Sequence, residues 1–305
     1  MLIDISIRFA KLPHGLVYFY QHWLPAHPKA LVVFLPGLGD HCGRYSELSQ
    51  RMVREDFAFV TYDQRGNGQS EGPRGHLDRF ADWVEDLASF VNFSLARVPE
   101  GTPLFIVGQS LGAIVAINYL LTHAQRVAGM LLLSAAFVPQ IRIPRWQRKL
   151  GAKLHRLLPR LSVSNRVGRE ALTRDSEELA KLHADVLFHD RMTVAAGREI
   201  FSNLELVGGF PSRIHIPMFL AAGSADSVCD PRATRWFADR LSSMDKQCRI
   251  YDGMFHDLLH DIGREQVQND MCEWILARAA EVKVSKDRYL LKRGEALWEN
   301  VSQPA

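Results

Sequence analysis

The chain has 305 residues, and 37 Lys and Arg against 34 Asp and Glu leave a net charge of +3, too small to mark nucleic acid as the main partner. Apolar residues make up 47%, enough to offset ordering entropy, which excludes intrinsic disorder for most of the chain. The length fits one large domain or one domain with an insertion. Cys42, Cys229, Cys248 and Cys272 form no C-x-x-C pair, the pattern of reduced thiols in a cytoplasmic protein. Asp4 interrupts the apolar N-terminus, and no run reaches the roughly 18 to 20 apolar residues that span a bilayer; Val127 to Pro139 comes nearest. A soluble protein is expected.

Ile3 to Phe9 alternates with period two and Gly15 to Trp23 reads as a second strand, so the two predict a hairpin at a sheet edge. Ala30 to Leu35 is a continuous apolar run, a buried strand. Arg44 to Arg54 predicts a helix, Phe57 to Tyr62 a strand, and residues 77 to 97 an amphipathic helix carrying Leu77, Phe80, Val84, Leu87 and Val91 on one face. Leu104 to Val107, Leu111 to Leu121 and Val127 to Leu133 continue as strand, helix, strand. From Phe137 to about Phe210 the pattern is helical with few strand signals. Alternation resumes with Ile216 to Ala222, Pro231 to Leu241, Gln247 to Tyr251 and Gly263 to Ala280. This is the pattern of an α/β fold, a mostly parallel sheet flanked by helices. It divides into a core of residues 1–136 and 211–280, a helical insertion at 137–210 and a charged tail at 281–305.

Gly108-Gln109-Ser110-Leu111-Gly112 lies between a predicted strand and a predicted helix. G-x-S-x-G in that context is a nucleophile elbow: a strained turn lifts the serine hydroxyl over the sheet, and the flanking glycines leave room for it. A serine hydroxyl is a weak nucleophile without a base, and the base needs an orienting acid. In this architecture the chain order is Ser, acid, His. Asp226, three residues after Gly223, is the candidate acid; Asp230 is the alternative, but with Pro231 behind it Asp230 suits a helix N-cap. His256, just after Asp252-Gly253, is the candidate base, with His260 as its rival. His256 and His260 superficially resemble the zinc motif H-E-x-x-H. Asp257 stands in place of the glutamate and no third ligand follows, so neither a metal nor a cofactor is expected.

Acyl transfer also needs two N–H groups on the developing oxyanion. Leu111, after the nucleophile, is one donor; Leu38, in the Pro36-Gly37-Leu38-Gly39 turn, is the other. A second glycine-rich loop, Asp63 to Ser70, is out of register for G-x-G-x-x-G. There Asp63 and Arg65 are expected to pair and brace the site.

Together these segments resemble the α/β-hydrolases of the monoacylglycerol lipase and lysophospholipase group. GLGDHCGRYSEL (37–48), YDQRGNGQSEGPRGH (62–76), GQSLG (108–112), GSADSVCDP (223–231) and DGMFHDLLHD (252–261) carry the resemblance. It implies an α/β-hydrolase fold with a cap, a triad of Ser110, Asp226 and His256, and an oxyanion hole from Leu38 and Leu111. The chain departs from the family pattern at Pro36 (usually His), at Gln109 and Leu111 (usually His and Met) and at Asp40 (often Glu). Gly37, His41, Gln109 and Cys229 are candidate substrate-binding residues beside those positions. Cys229 reads equally as a small buried hydrophobe.

Nine Lys or Arg and no Asp or Glu lie between Phe137 and Arg169, interleaved with Trp146 and leucines. A basic amphipathic segment of this kind docks on anionic lipid or simply covers the site with a solvated basic face. The leading expectation is a serine hydrolase that cleaves monoacylglycerol to fatty acid and glycerol, with peripheral membrane contact through the basic cap and no nucleic-acid partner. Lysophospholipase, carboxylesterase and thioesterase are the enzyme alternatives, and a silent hydrolase-fold scaffold is the non-enzyme one.

Overall fold

The computed structural model describes residues 3–13, 15–123, 127–140 and 157–299, with side chains described through Glu281. An antiparallel hairpin, β1 (Ile3–Lys11) and β2 (Val17–Pro25), opens the chain. Next come β3 (Ala30–Leu35), α1 (Ser46–Arg54), β4 (Phe57–Tyr62), α2 (Phe80–Leu95), β5 (Leu104–Gln109), α3 (Leu111–His123) and β6 (Val127–Leu133). The segment that follows carries β7 (Ser162–Ser164), α4 (Ser176–Ala184), β8 (Arg191–Thr193) and α5 (Val194–Val207). The chain then returns through β9 (Met218–Gly223), α6 (Pro231–Arg240), β10 (Lys246–Tyr251) and α7 (Arg264–Glu299).

Eight strands form one sheet in the order β1-β2-β4-β3-β5-β6-β9-β10. The pairs from β4 to β10 are parallel, and β2 meets β4 antiparallel. Every residue of β3, β4 and β5 is buried, because helices cover both faces of the central strands and no side can be polar. Leu31, Val33 and Leu35 pack into one layer with α2 and α3; Val32 and Phe34 pack into the other with α1 and α7. Strand order reverses at β3, which lies between β4 and β5, and this is where open α/β sheets bind ligands, beyond the carboxyl ends of the strands. Both Pro36 and Ser110 sit there.

Three local readings need correction. The helix expected from Arg44 begins at Ser46, preceded by a 3₁₀ turn at Cys42–Tyr45 that His41 caps by accepting from Gly43 N–H. The segment expected to be helical also holds a two-stranded antiparallel sheet of β7 and β8; three residues per strand are too few for a period-two signal. The last helix, expected to end near Ala280, has a backbone that continues to Glu299. Charge alone does not stop a helix, and the stretch is rich in Glu, Lys, Arg and Leu, with no Pro before Pro304. The basic stretch at 141–156 lies outside the described residues. Among the described residues no helix is long and apolar enough to cross a membrane.

Candidate active site

Ser110 sits between β5 and α3 with φ +52°, a left-handed conformation unusual for a non-glycine residue. The turn is tight on both sides. A Cβ on Gly108 would lie 2.6 Å from Gly112 O, and one on Gly112 would lie 2.5 Å from Leu35 O. Neither is tolerable, so both glycines are steric requirements. Ser110 N–H donates to Leu133 O (2.9 Å), and Ser110 O accepts from Ala136 N–H (3.2 Å), which tie the elbow to β6. Gly37 lies against Ser110: a Cβ there would be 3.9 Å from Ser110 Oγ. Gln64 Nε2 holds Pro36 O (2.9 Å) and Asn67 Oδ1 accepts from Gly39 N–H (3.0 Å), so the second glycine-rich loop braces the turn containing Leu38.

Asp226 follows β9 and His256 follows β10. His256 Nε2 lies 2.9 Å from Ser110 Oγ, and its Nδ1 lies 2.8 Å from Asp226 Oδ2. The other Asp226 oxygen accepts from Val228 N–H (2.8 Å) and Cys229 N–H (2.9 Å). These bonds orient the carboxylate, which then receives Nδ1–H and leaves the Nε2 lone pair toward the serine hydroxyl. Gln140 Nε2 donates to Asp226 O (2.9 Å), a contact with no sequence signal. Asp230, the alternative acid, caps α6 by accepting from Arg232 N–H.

Behind the elbow lies a buried polar cluster that sequence reasoning missed. Arg44 Nη2 meets Asp257 Oδ2 at 2.7 Å and Arg44 Nη1 meets Asp40 Oδ1 at 3.1 Å. Tyr45 donates its hydroxyl to Asp40. Gln109 Nε2 donates to Asp257 Oδ1 (2.8 Å). His260, the rival base, has Nδ1 2.9 Å from Asp257 and Nε2 3.0 Å from Arg44 O. Both of its ring nitrogens thus face oxygen atoms of the cluster. Burial would raise the Asp257 carboxyl, but His260 and Arg44 beside it overcome that and hold it well below the usual carboxylate range. The cluster thus grips Gln109, just before Ser110, and Asp257, just after His256.

The other candidate residues have definite places. His41 Nε2 donates to Asp185 Oδ2 (2.7 Å) while Nδ1 accepts from Gly43 N–H, so both ring nitrogens are engaged between the β3 loop and the segment after β6. His189 N–H donates to Gly39 O (3.0 Å), which joins the same two regions, and Asp257 N–H donates to Leu172 O (2.8 Å), which ties the segment after β6 to the loop after β10. Cys229 is buried, and burial followed by the Asp226 charge pushes its thiol well up. Asp63 and Arg65 do not pair. Asp63 turns inward to accept from Cys42 N–H and Gln69 N–H, whereas the longer Arg65 reaches Asp86 on α2. The two histidines of the zinc-like spacing point to different partners, and among the described residues no group of His, Cys, Asp and Glu is arranged to hold a metal ion.

The family described as serine aminopeptidase, S33 matches residues 26–263. Human monoglyceride lipase is 31% identical over 288 residues, covering 90% of this chain and 93% of that protein. The crystal structure of the monoacylglycerol lipase of Paleococcus ferrophilus is 27% identical with a TM-score of 0.78, over 86% of this chain and 99% of that one. A soluble variant of monoglyceride lipase from Saccharomyces cerevisiae, in complex with a substrate analog, shares the fold at a TM-score of 0.81 and 19% identity, over 91% of this chain and 96% of that one. A parallel sheet with a strained serine elbow at its switch point and a match of this extent have one reading: the chain belongs to the S33 serine aminopeptidase family of α/β-hydrolases and is a monoacylglycerol lipase-like serine hydrolase.

Proposed function

We propose that this chain hydrolyses single-chain lipid esters, with monoacylglycerol as its substrate, through a triad of Ser110, Asp226 and His256. The observation that carries the reading is the relay from Ser110 Oγ to His256 Nε2 (2.9 Å) and from His256 Nδ1 to Asp226 (2.8 Å), beneath a serine held at φ +52°. Ser110 attacks the ester carbonyl while His256 takes its proton, and Asp226 stabilises the imidazolium. Leu111 and Leu38 N–H groups receive the oxyanion; α3 begins at Leu111, so the positive end of the helix faces the same point. His256 returns the proton to the leaving glycerol oxygen. Water, activated by the same histidine, then releases the fatty acid. Residues 137–210 act as a cap over this chemistry, a reading supported by the His41–Asp185, His189–Gly39 and Leu172–Asp257 links to loops around Ser110. The monoacylglycerol assignment rests on the names of the relatives.

The test is hydrolysis of 1-monoacylglycerols of varied chain length beside matched lysophospholipids and short p-nitrophenyl esters, with wild type and Ser110→Ala. The expected result is monoacylglycerol turnover that disappears in the variant. Preference for lysophospholipids or for short esters overturns the substrate but keeps the triad. Activity that survives in Ser110→Ala overturns the nucleophile.

A further inference from the structure

Among the described residues, no strand pairs with the outer side of β1. β1 is an edge strand, and Ile5, Ile7 and Phe9 project from one of its faces at 57%, 59% and 58% exposure. The backbone of the same residues faces outward. In β2, Phe19 uses its N–H and C=O on Ser70 and Asp63, and Val17 uses its own on Glu71, all on the side away from β1. The even residues of β2 therefore bond to β1, and by the register Arg8↔Tyr20 and Ser6↔His22 so do the even residues of β1. Ile3, Ile5, Ile7 and Phe9 are left with N–H and C=O directed off the sheet. A long, apolar, unpaired edge is a template for another strand.

The charges on β1 select which strand. Asp4 and Arg8, both exposed, lie two residues on either side of Ser6. When a second copy of β1 pairs antiparallel about Ser6, each Asp4 stands opposite an Arg8. Ile5 stands opposite Ile7, and Ile3 opposite Phe9. The outward-directed odd residues then exchange the hydrogen bonds. Asp4 and Arg8 fall at the non-hydrogen-bonded pairs, where side chains come closest. Shifting the two-fold to Ile5 or Ile7 sets Asp4 opposite Ser6 or Ala10 and loses both ion pairs. Centring it on Asp4 or Arg8 sets like charges face to face. Asp4 also meets His22 Nε2 at 3.2 Å, and its side chain remains 69% exposed for a second partner.

We propose that the β1 edge is a self-association surface: two copies join their sheets antiparallel about Ser6 into one continuous sheet with two-fold symmetry. Such an isologous contact closes on itself and uses up both edges. It leaves the site free, since β2, β4 and β3 separate β1 from the strand that carries Ser110.

Sedimentation equilibrium of the full chain tests this. Wild type gives a reversible dimer. Asp4→Arg and Arg8→Asp each weaken it by about tenfold, the scale of two symmetry-related cross-strand charge pairs turned repulsive. Mixing the two variants restores association, because each then faces its complement. Ile7→Pro removes an outward N–H and abolishes the dimer, with p-nitrophenyl ester hydrolysis reporting that the chain is still folded. A wild type that remains monomeric, a dimer indifferent to both charge changes, or a mixture no tighter than its components overturns the proposal.

Discussion

Arg44 and Asp257 meet at 2.7 Å, and so do Arg232 and Asp230. The first pair lies behind the turn that holds Ser110, with side chains only 10% and 2% exposed. In the second, the Arg232 side chain is 90% exposed at the start of α6. Water competes for every charge of the outer pair and screens it, so its ion-pair geometry contributes little. The inner pair has given up that water. Its charges persist because Gln109, His260 and Asp40 complete the coordination, and the loss of one partner strands the others. Separation is equal in the two places; desolvation makes them different.

The largest break of this contrast is Asp257→Ala. Chemical denaturation is expected to show a loss of roughly 3–5 kcal/mol, the cost of leaving a buried charge unpaired. Because Asp257 adjoins His256 and binds Gln109, kcat falls as well. The paired change Arg44→Met with Asp257→Leu is expected to be less destabilising than the sum of the two single changes, a non-additivity that a double-mutant cycle measures. The same carboxylate sets an acid limb. Its folded pKa lies below its unfolded one, so the folded state binds fewer protons. Its contribution is therefore complete above the ordinary carboxylate value of about 4 and is lost progressively as pH falls below it. Asp257→Asn is expected to flatten stability against pH in that acid range.

An intermediate case sharpens the comparison. His41 and Asp185 meet at 2.7 Å with side chains 9% and 19% exposed. Asp185→Ala is expected to cost about 1–2 kcal/mol, as for a partly buried hydrogen bond to a charged group, and to raise KM by loosening the contact between the β3 loop and the segment that follows β6. The smallest effect is at the outer pair. Arg232→Ala is expected to leave the denaturation midpoint where it is. Asp230→Ala loses about 1 kcal/mol through the helix cap rather than the ion pair. Equal losses at Arg232 and Arg44 would break the distinction.

The elements around Ser110 were legible because each is announced by local chemistry. β3, β4 and β5 are unbroken apolar runs, and Gly108 and Gly112 sit where a Cβ has no room. Asp226 and His256 were legible by their offsets from β9 and β10. The cluster behind the elbow was not. Arg44 reads as the first residue of a helix and Asp257 as a flaw in a zinc-like motif, and 213 residues separate them. Asp63 and Arg65 show the opposite failure: they are close in sequence and complementary in charge, yet Asp63 serves backbone N–H groups and Arg65 serves α2. Side-chain length and direction decide such pairings, and spacing carries neither.

What could be read from the order of residues alone was therefore periodic or steric: the alternation that makes a parallel sheet, the turn that admits only glycine, the Pro231 that starts a helix. These depend on near neighbours in the chain. Partner choice among charges depends on which loops the sheet brings to one edge, and on how much water is left there. That is why Gln109 meeting Asp257, His41 meeting Asp185 and the outward row of β1 emerge only once the strands are placed side by side.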